Sequence, residues 1–123
     1  MPLIDQHIKQ AKHNEEFVVF CNPTASPYPD WIVTIIFYAA IHYIEAALAI
    51  KNKHSDDHAS RENLIVHHID NYNLLYIAHR NLKDRSRKAR YNCISVAPAQ
   101  IADAFVNLAK VKDILGPSLP QNT

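Results

Sequence analysis

Arg61 and His67 stand six residues apart, and an arginine with a histidine is a minimal set for cutting RNA without a metal. The imidazole can move protons around a 2′-hydroxyl or a leaving oxygen, while the guanidinium stabilises the charge on a phosphorane. On a straight helix that offset separates the two side chains by roughly 120°. The pair therefore converges only if the helix bends or a second subunit contributes. In a chain with eight histidines such a spacing also arises readily by chance.

A second group lies in the most apolar stretch. Tyr38, His42 and Glu45 are spaced four and three, so all three fall on one helical face and can touch. A buried glutamate needs a partner or must take up a proton; Arg61 and Arg90 are the candidates. The expected role is a structural polar cluster that fixes helix register. A metal alternative would add His58 or His67 to His42 and Glu45, but the Glu-x-x-His order of bundle metal sites is reversed here and occurs once. No metal and no cofactor is expected. His7, His13, His54 and His58 read as surface histidines.

The third group is cationic. Residues 80–90 carry six bases and one acid, a net +5, while the remaining seven bases and eleven acids sum to −4. The near-neutral total hides this asymmetry. Arg80, Lys83, Arg87 and Arg90 are spaced three, four and three, which makes one ridge along a helix. Such a ridge is either a solvated face paired with acids of other helices or a surface for phosphate, which arginine grips through two hydrogen bonds.

Helices must position these residues. A chain of 123 residues with 48% hydrophobic content can build one core. A single glycine argues against tight hairpins, and the seven prolines fall between helical patterns. Helix one is expected from about Pro2 to Phe20, and three prolines in Asn22–Pro29 end it. Helix two runs from Asp30 to about Lys53. Helix three opens near His58 to Ser60, with Ser60 as a candidate cap, and breaks at Asp70–Asn73. Helix four covers about Leu74 to Tyr91, and helix five about Pro98 to Leu115, stopped by Gly116 and Pro117. Short connections between long helices predict an all-α, antiparallel up-and-down bundle of four to five helices. One domain spans 1–117, and 118–123 form a frayed tail.

Trp31 to Ile50 is long and apolar enough to span a membrane, yet His42 and Glu45 in its second half favour burial in protein. No membrane association is expected. Cys21 and Cys93 make no framework and read as buried or half-buried thiols. Residues 1–16 lack the apolar run of a signal peptide, so a reduced, cytoplasmic setting is the expectation.

Three segments together resemble the small bacterial HEPN-like proteins: Asp30-Trp-Ile-Val-Thr-Ile-Ile-Phe-Tyr-Ala-Ala-Ile-His42, His58-Ala-Ser-Arg61 with Tyr76, and Ser86-Arg-Lys-Ala-Arg-Tyr91. The resemblance covers about Asp30 to Val111. It implies a bundle of four or five helices, usually a homodimer, with a positively charged cleft. Many such proteins are metal-independent ribonucleases, often toxins or defence effectors with an antitoxin partner, and others bind RNA or nucleotides only. Their active motif is an arginine, a polar residue and then a histidine after four to six intervening residues. Arg61 and His67 match it, with Glu62 in the polar place. Arg80-Asn81 begins the same motif on the basic helix, where no histidine follows His79.

Two functions are therefore expected to compete. In the first, an RNA- or nucleotide-binding protein holds phosphates on Arg80, Lys83, Arg87 and Arg90, and as a ribonuclease it works through Arg61 and His67. In the second, a non-catalytic bundle acts through a partner protein and carries an internal His/Glu/Arg clasp.

Overall fold

Proline and asparagine do in this chain what glycine does in most. Pro29 and Pro98 occupy first-turn positions of two helices, where the missing N–H costs nothing. Chain reversals fall on Asn22, Asn52 and Asn71, all with positive φ, and on Cys93. Asparagine tolerates that left-handed region better than most residues.

The computed structural model describes residues 2–120. Five helices, α1 (Ile4–Phe20), α2 (Pro29–Ile50), α3 (His58–His68), α4 (Tyr72–Tyr91) and α5 (Pro98–Leu115), precede a short 3-10 turn at Gly116–Ser118. The protein is all-α, with no strand among the described residues. Helix α2 ends three residues before Lys53 because Asn52 turns left-handed and Lys53 N–H returns to the Leu48 carbonyl at 2.9 Å. The cap of α3 is Asp57, not Ser60. Its carboxylate accepts from Ser60 N–H at 2.7 Å, while Ser60 Oγ accepts from Asp57 N–H at 3.1 Å. The break at Asp70–Asn73 separates α3 from α4 through extended Ile69 and left-handed Asn71.

Helix α2 is the axis of the core and packs against each of the other four helices. Ile32, Val33, Ile36, Phe37, Ile44 and Leu48 are fully buried on it, and its alanines let neighbours approach closely. It is long and apolar enough to cross a membrane, but 78% of its apolar window is buried inside the protein. Leu75, Ala78 and Leu82 bring in α4, and Leu108, Val111 and Leu115 bring in α5. In the expected tail, Leu119 N–H bonds the Leu115 carbonyl and its side chain packs against the core; residues 121–123 lie outside the described residues. Cys21 is half-buried, whereas Cys93 is exposed, contrary to expectation, because it sits in the turn that ends α4.

One core residue breaks the rule that buried polar groups find partners. His79 is fully buried, and neither ring nitrogen has a hydrogen-bond partner among the described residues. Phe37 packs on it at 5.9 Å between ring centres, and Glu62 Oε1 lies 4.0 Å from Nδ1. Burial, seconded by the Arg61 charge, pushes its pKa down to about 4. The folded state thus refuses a proton that the unfolded chain accepts near pH 6.5. The stability this contributes is intact above pH 6.5 and is lost as pH falls toward 4, about 3 kcal/mol over that window. His79→Leu should flatten the acid side of the stability curve and raise stability at pH 7. Urea denaturation of both proteins at pH 7.5 and 5 checks this; equal losses in the two would show that His79 is not the acid-labile group.

Candidate functional site

The polar face of α2 sorts its three members among three different helices. Tyr38 Oη accepts from Arg90 Nη1 of α4 at 3.0 Å. His42 Nδ1 meets His7 Nδ1 of α1 at 3.0 Å. Glu45 Oε1 accepts from Arg61 Nε of α3 at 2.8 Å, and the Ser55 hydroxyl donates to the same oxygen. The expected triad is therefore three separate cross-helix contacts on one stripe. Of the two arginines expected as partner for Glu45, Arg61 is the one that binds it. The Glu45 and Arg61 side chains are only 9% and 11% exposed, so this is a buried ion pair.

His7 was expected at the surface and is instead buried against His42. Its position one turn after Ile4 and beside Ile8 was the available signal. In that pair only one nitrogen can donate to the other, so double protonation would break it. Burial, the largest cause, holds both rings below their ordinary pKa.

Arg61 and His67 do not meet. Arg61 turns into the bundle, with Nε on Glu45 and Nη1 2.7 Å from His58 Nδ1. His67 is exposed at the far end of α3, where its Nδ1 bonds the Asn63 carbonyl at 2.8 Å and its ring faces His68. The six-residue offset has its ordinary geometric consequence, since α3 runs without a break from His58 to His68. The metal alternative also lacks its geometry: among the described residues, no three His, Cys, Asp or Glu side chains group so that they could hold an ion.

The basic ridge divides. Lys83, Arg87 and Arg90 line an open concavity of about 460 Å³, together with Tyr38, His58, Tyr91 and Asn92. Arg80 lies nearer the start of α4 and leans back onto Tyr76, with Nη1 3.2 Å from its hydroxyl and the guanidinium over its ring. It does not line the cleft. Among the described residues, Lys83 alone of the ridge has a carboxylate, Glu62 at 2.9 Å. Arg90 is held without one: Nε donates to the Ser86 carbonyl at 3.2 Å, and the guanidinium stacks over Tyr38 and Tyr91. Arg87 is exposed and has no hydrogen bond or ion pair among the described residues. Among the described residues, three of the four ridge cations thus lack the carboxylate expected of a neutralised face.

The cleft thus offers an unpaired guanidinium, a second one fixed between aromatic rings, and an ammonium shared with Glu62. Phosphate is the anion such a set fits. Sequence reasoning missed His58, Tyr91 and Asn92 as members of this wall. Tyr91 follows Arg90 directly, and only the end of α4 beside the start of α3 makes their closeness visible.

The Glu45–Arg61 pair has a stability consequence of its own. Arg61→Met strands a buried carboxylate and should cost about 3 kcal/mol. The double variant Glu45→Leu/Arg61→Met should recover at least half of that loss, because it removes both charges. Denaturant melts of the three proteins decide it; a double variant no better than the single one would show that the pair is not a buried clasp.

Comparison with protein-family models, with curated proteins and with solved structures finds no match for the chain.

Proposed function

We propose that this chain is a HEPN-like protein that binds RNA or nucleotides, with its phosphate site in the cleft between the start of α3 and the end of α4. The observation that carries the reading is the state of the cations. Of the three that line an open concavity, Arg87 has no partner and Arg90 no carboxylate among the described residues. Arginines neutralised within a fold hold acids, and these do not. Exposed aromatic surface at Tyr91 and Tyr38 favours a ligand with rings over a simple anion.

The catalytic form of this reading, a metal-independent ribonuclease of a toxin or defence system, needs Arg61 and His67 at one phosphate. Within one chain each has another partner, so that form would need a homodimer in which a second copy completes the site. The Glu45–Arg61 pair favours the second reading, a non-catalytic bundle with an internal polar clasp. The clasp and a phosphate cleft are compatible in one molecule.

Single-stranded RNA should bind at low ionic strength, with an affinity that falls linearly in log–log form as salt rises. Arg87→Ala and Arg90→Ala should each reduce that slope by about 0.7, while Arg80→Ala leaves it nearly unchanged. Fluorescence anisotropy across a salt series measures all four proteins. No binding at the lowest salt would end the proposal. Incubation of RNA with the protein in EDTA should leave it intact; cleavage abolished by both Arg61→Ala and His67→Ala would establish the ribonuclease form.

A further inference from the structure

His58 opens α3 and lines the cleft beside Lys83, Arg87 and Arg90. Its Nδ1 lies 2.7 Å from Arg61 Nη1. A guanidinium carries only donors, so Nδ1 must present its lone pair, and the ring proton must sit on Nε2. Arg61 cannot turn away to relax this demand, because its Nε is bound to buried Glu45, whose other hydrogen bond comes from Ser55. The ring itself packs on Phe37 at 5.8 Å between centres. The chain Glu45–Arg61–His58 thus sets a tautomer from inside the bundle, and Nε2–H has no partner among the described residues.

We propose that His58 is a fixed neutral hydrogen-bond donor to a phosphate oxygen of the bound nucleotide, held in that role by Arg61, and that it cannot act there as a general base. The proposal depends on the phosphate-site reading above and gives that site its third kind of donor. A free histidine beside a phosphate gains a proton and grips harder as pH falls. His58 is denied that response. A second proton would have to go on Nδ1, facing Arg61, with Lys83, Arg87 and Arg90 across the cleft on α4 and His79 behind Phe37. The acids near it are Glu62, whose carboxylate Lys83 holds, and Asp57, whose carboxylate caps α3 through Ser60 N–H. Burial first, then the Arg61, Lys83 and Arg90 charges, keep the imidazole below its ordinary pKa. His58 then donates to a phosphodiester without taking a proton from its 2′-hydroxyl.

The test is long-range nitrogen NMR of protein labelled in histidine, free and with a 5′-phosphorylated oligouridylate or inorganic phosphate. Expected are the Nε2–H tautomer of His58 at pH 7 and a shift of its Nε2 signal on adding either probe. His58→Phe, which keeps a ring on Phe37 but no donor, should lose about tenfold in oligouridylate affinity. His58→Gln, which restores an N–H near the Nε2 position, should stay within about threefold of wild type. An Nδ1–H tautomer or an imidazolium at pH 7 overturns the proposal and leaves the phosphate site standing. So does oligouridylate binding that leaves the His58 signal unmoved. Absence of binding by either probe overturns both readings together.

Discussion

A carboxylate placed inside the most apolar helix of a chain has to be answered, and the rest of this protein is arranged around the answer. Glu45 is buried on α2, and Arg61 reaches it from the first turn of α3. Leaving such a charge unpaired costs several kcal/mol, so an alternative packing without an arginine at that spot is penalised heavily. The pair therefore does more than join two helices. It fixes where α3 begins, and with it the position of His58 at the mouth of the cleft. Asp57 and Ser60 add a reciprocal cap at the same point, so the helix start is set from the backbone as well as from the side chains.

The same logic extends along α2. Hydrophobic burial is non-directional and would accept several helix arrangements around so uniform an apolar rod. The polar groups discriminate. Tyr38 takes Arg90 of α4, His42 takes His7 of α1, Glu45 takes Arg61, and Tyr43 donates to Glu15, which also binds Lys112 of α5 at 2.9 Å. Together these contacts tie α1, α3, α4 and, through Glu15, α5 to particular positions along α2. Burial and its hydrogen bond to Glu15 hold the Tyr43 hydroxyl protonated far above its usual range. The core supplies the energy, and this row of polar contacts supplies the register.

Much of this was legible in the sequence, and what was not has a common cause. The five helices follow from local signals: proline at helix starts, asparagine and glycine at ends, and apolar spacing between them. The need of Glu45 for an arginine was also legible, because burial of a charge is a local fact with a non-local demand. Which arginine answers was not, since that depends on how α3 and α4 lie against α2. His7 was misread because a histidine on a helix rich in Lys and Glu looks solvated until His42 is known to face it. The ridge from Arg80 to Arg90 was legible as a line along α4, but a line does not say where a concavity begins. Arg80 leans onto Tyr76 one turn earlier and lies outside the cleft, and neither follows from charge spacing. That Arg61 and His67 do not meet within one chain follows from helix geometry that the spacing itself already contained.

Charge placement then bears on what the cleft is for. The acids that outnumber bases elsewhere in the chain could have been used to neutralise α4, and one of them is: Glu62 takes Lys83. Among the described residues no acid pairs with Arg87 or Arg90, and the latter is stabilised by two aromatic rings and the Ser86 carbonyl instead. A carboxylate in that position would have anchored the arginine but cancelled its field. Rings and a carbonyl anchor it while leaving the charge available, since cation–π contact orients a guanidinium without neutralising it. A helix end that concentrates like charge works against its own stability through repulsion between neighbouring turns. That repulsion falls when an anion enters, so binding and folding become linked: any phosphate that occupies the cleft stabilises α4 by relieving the cations that hold it.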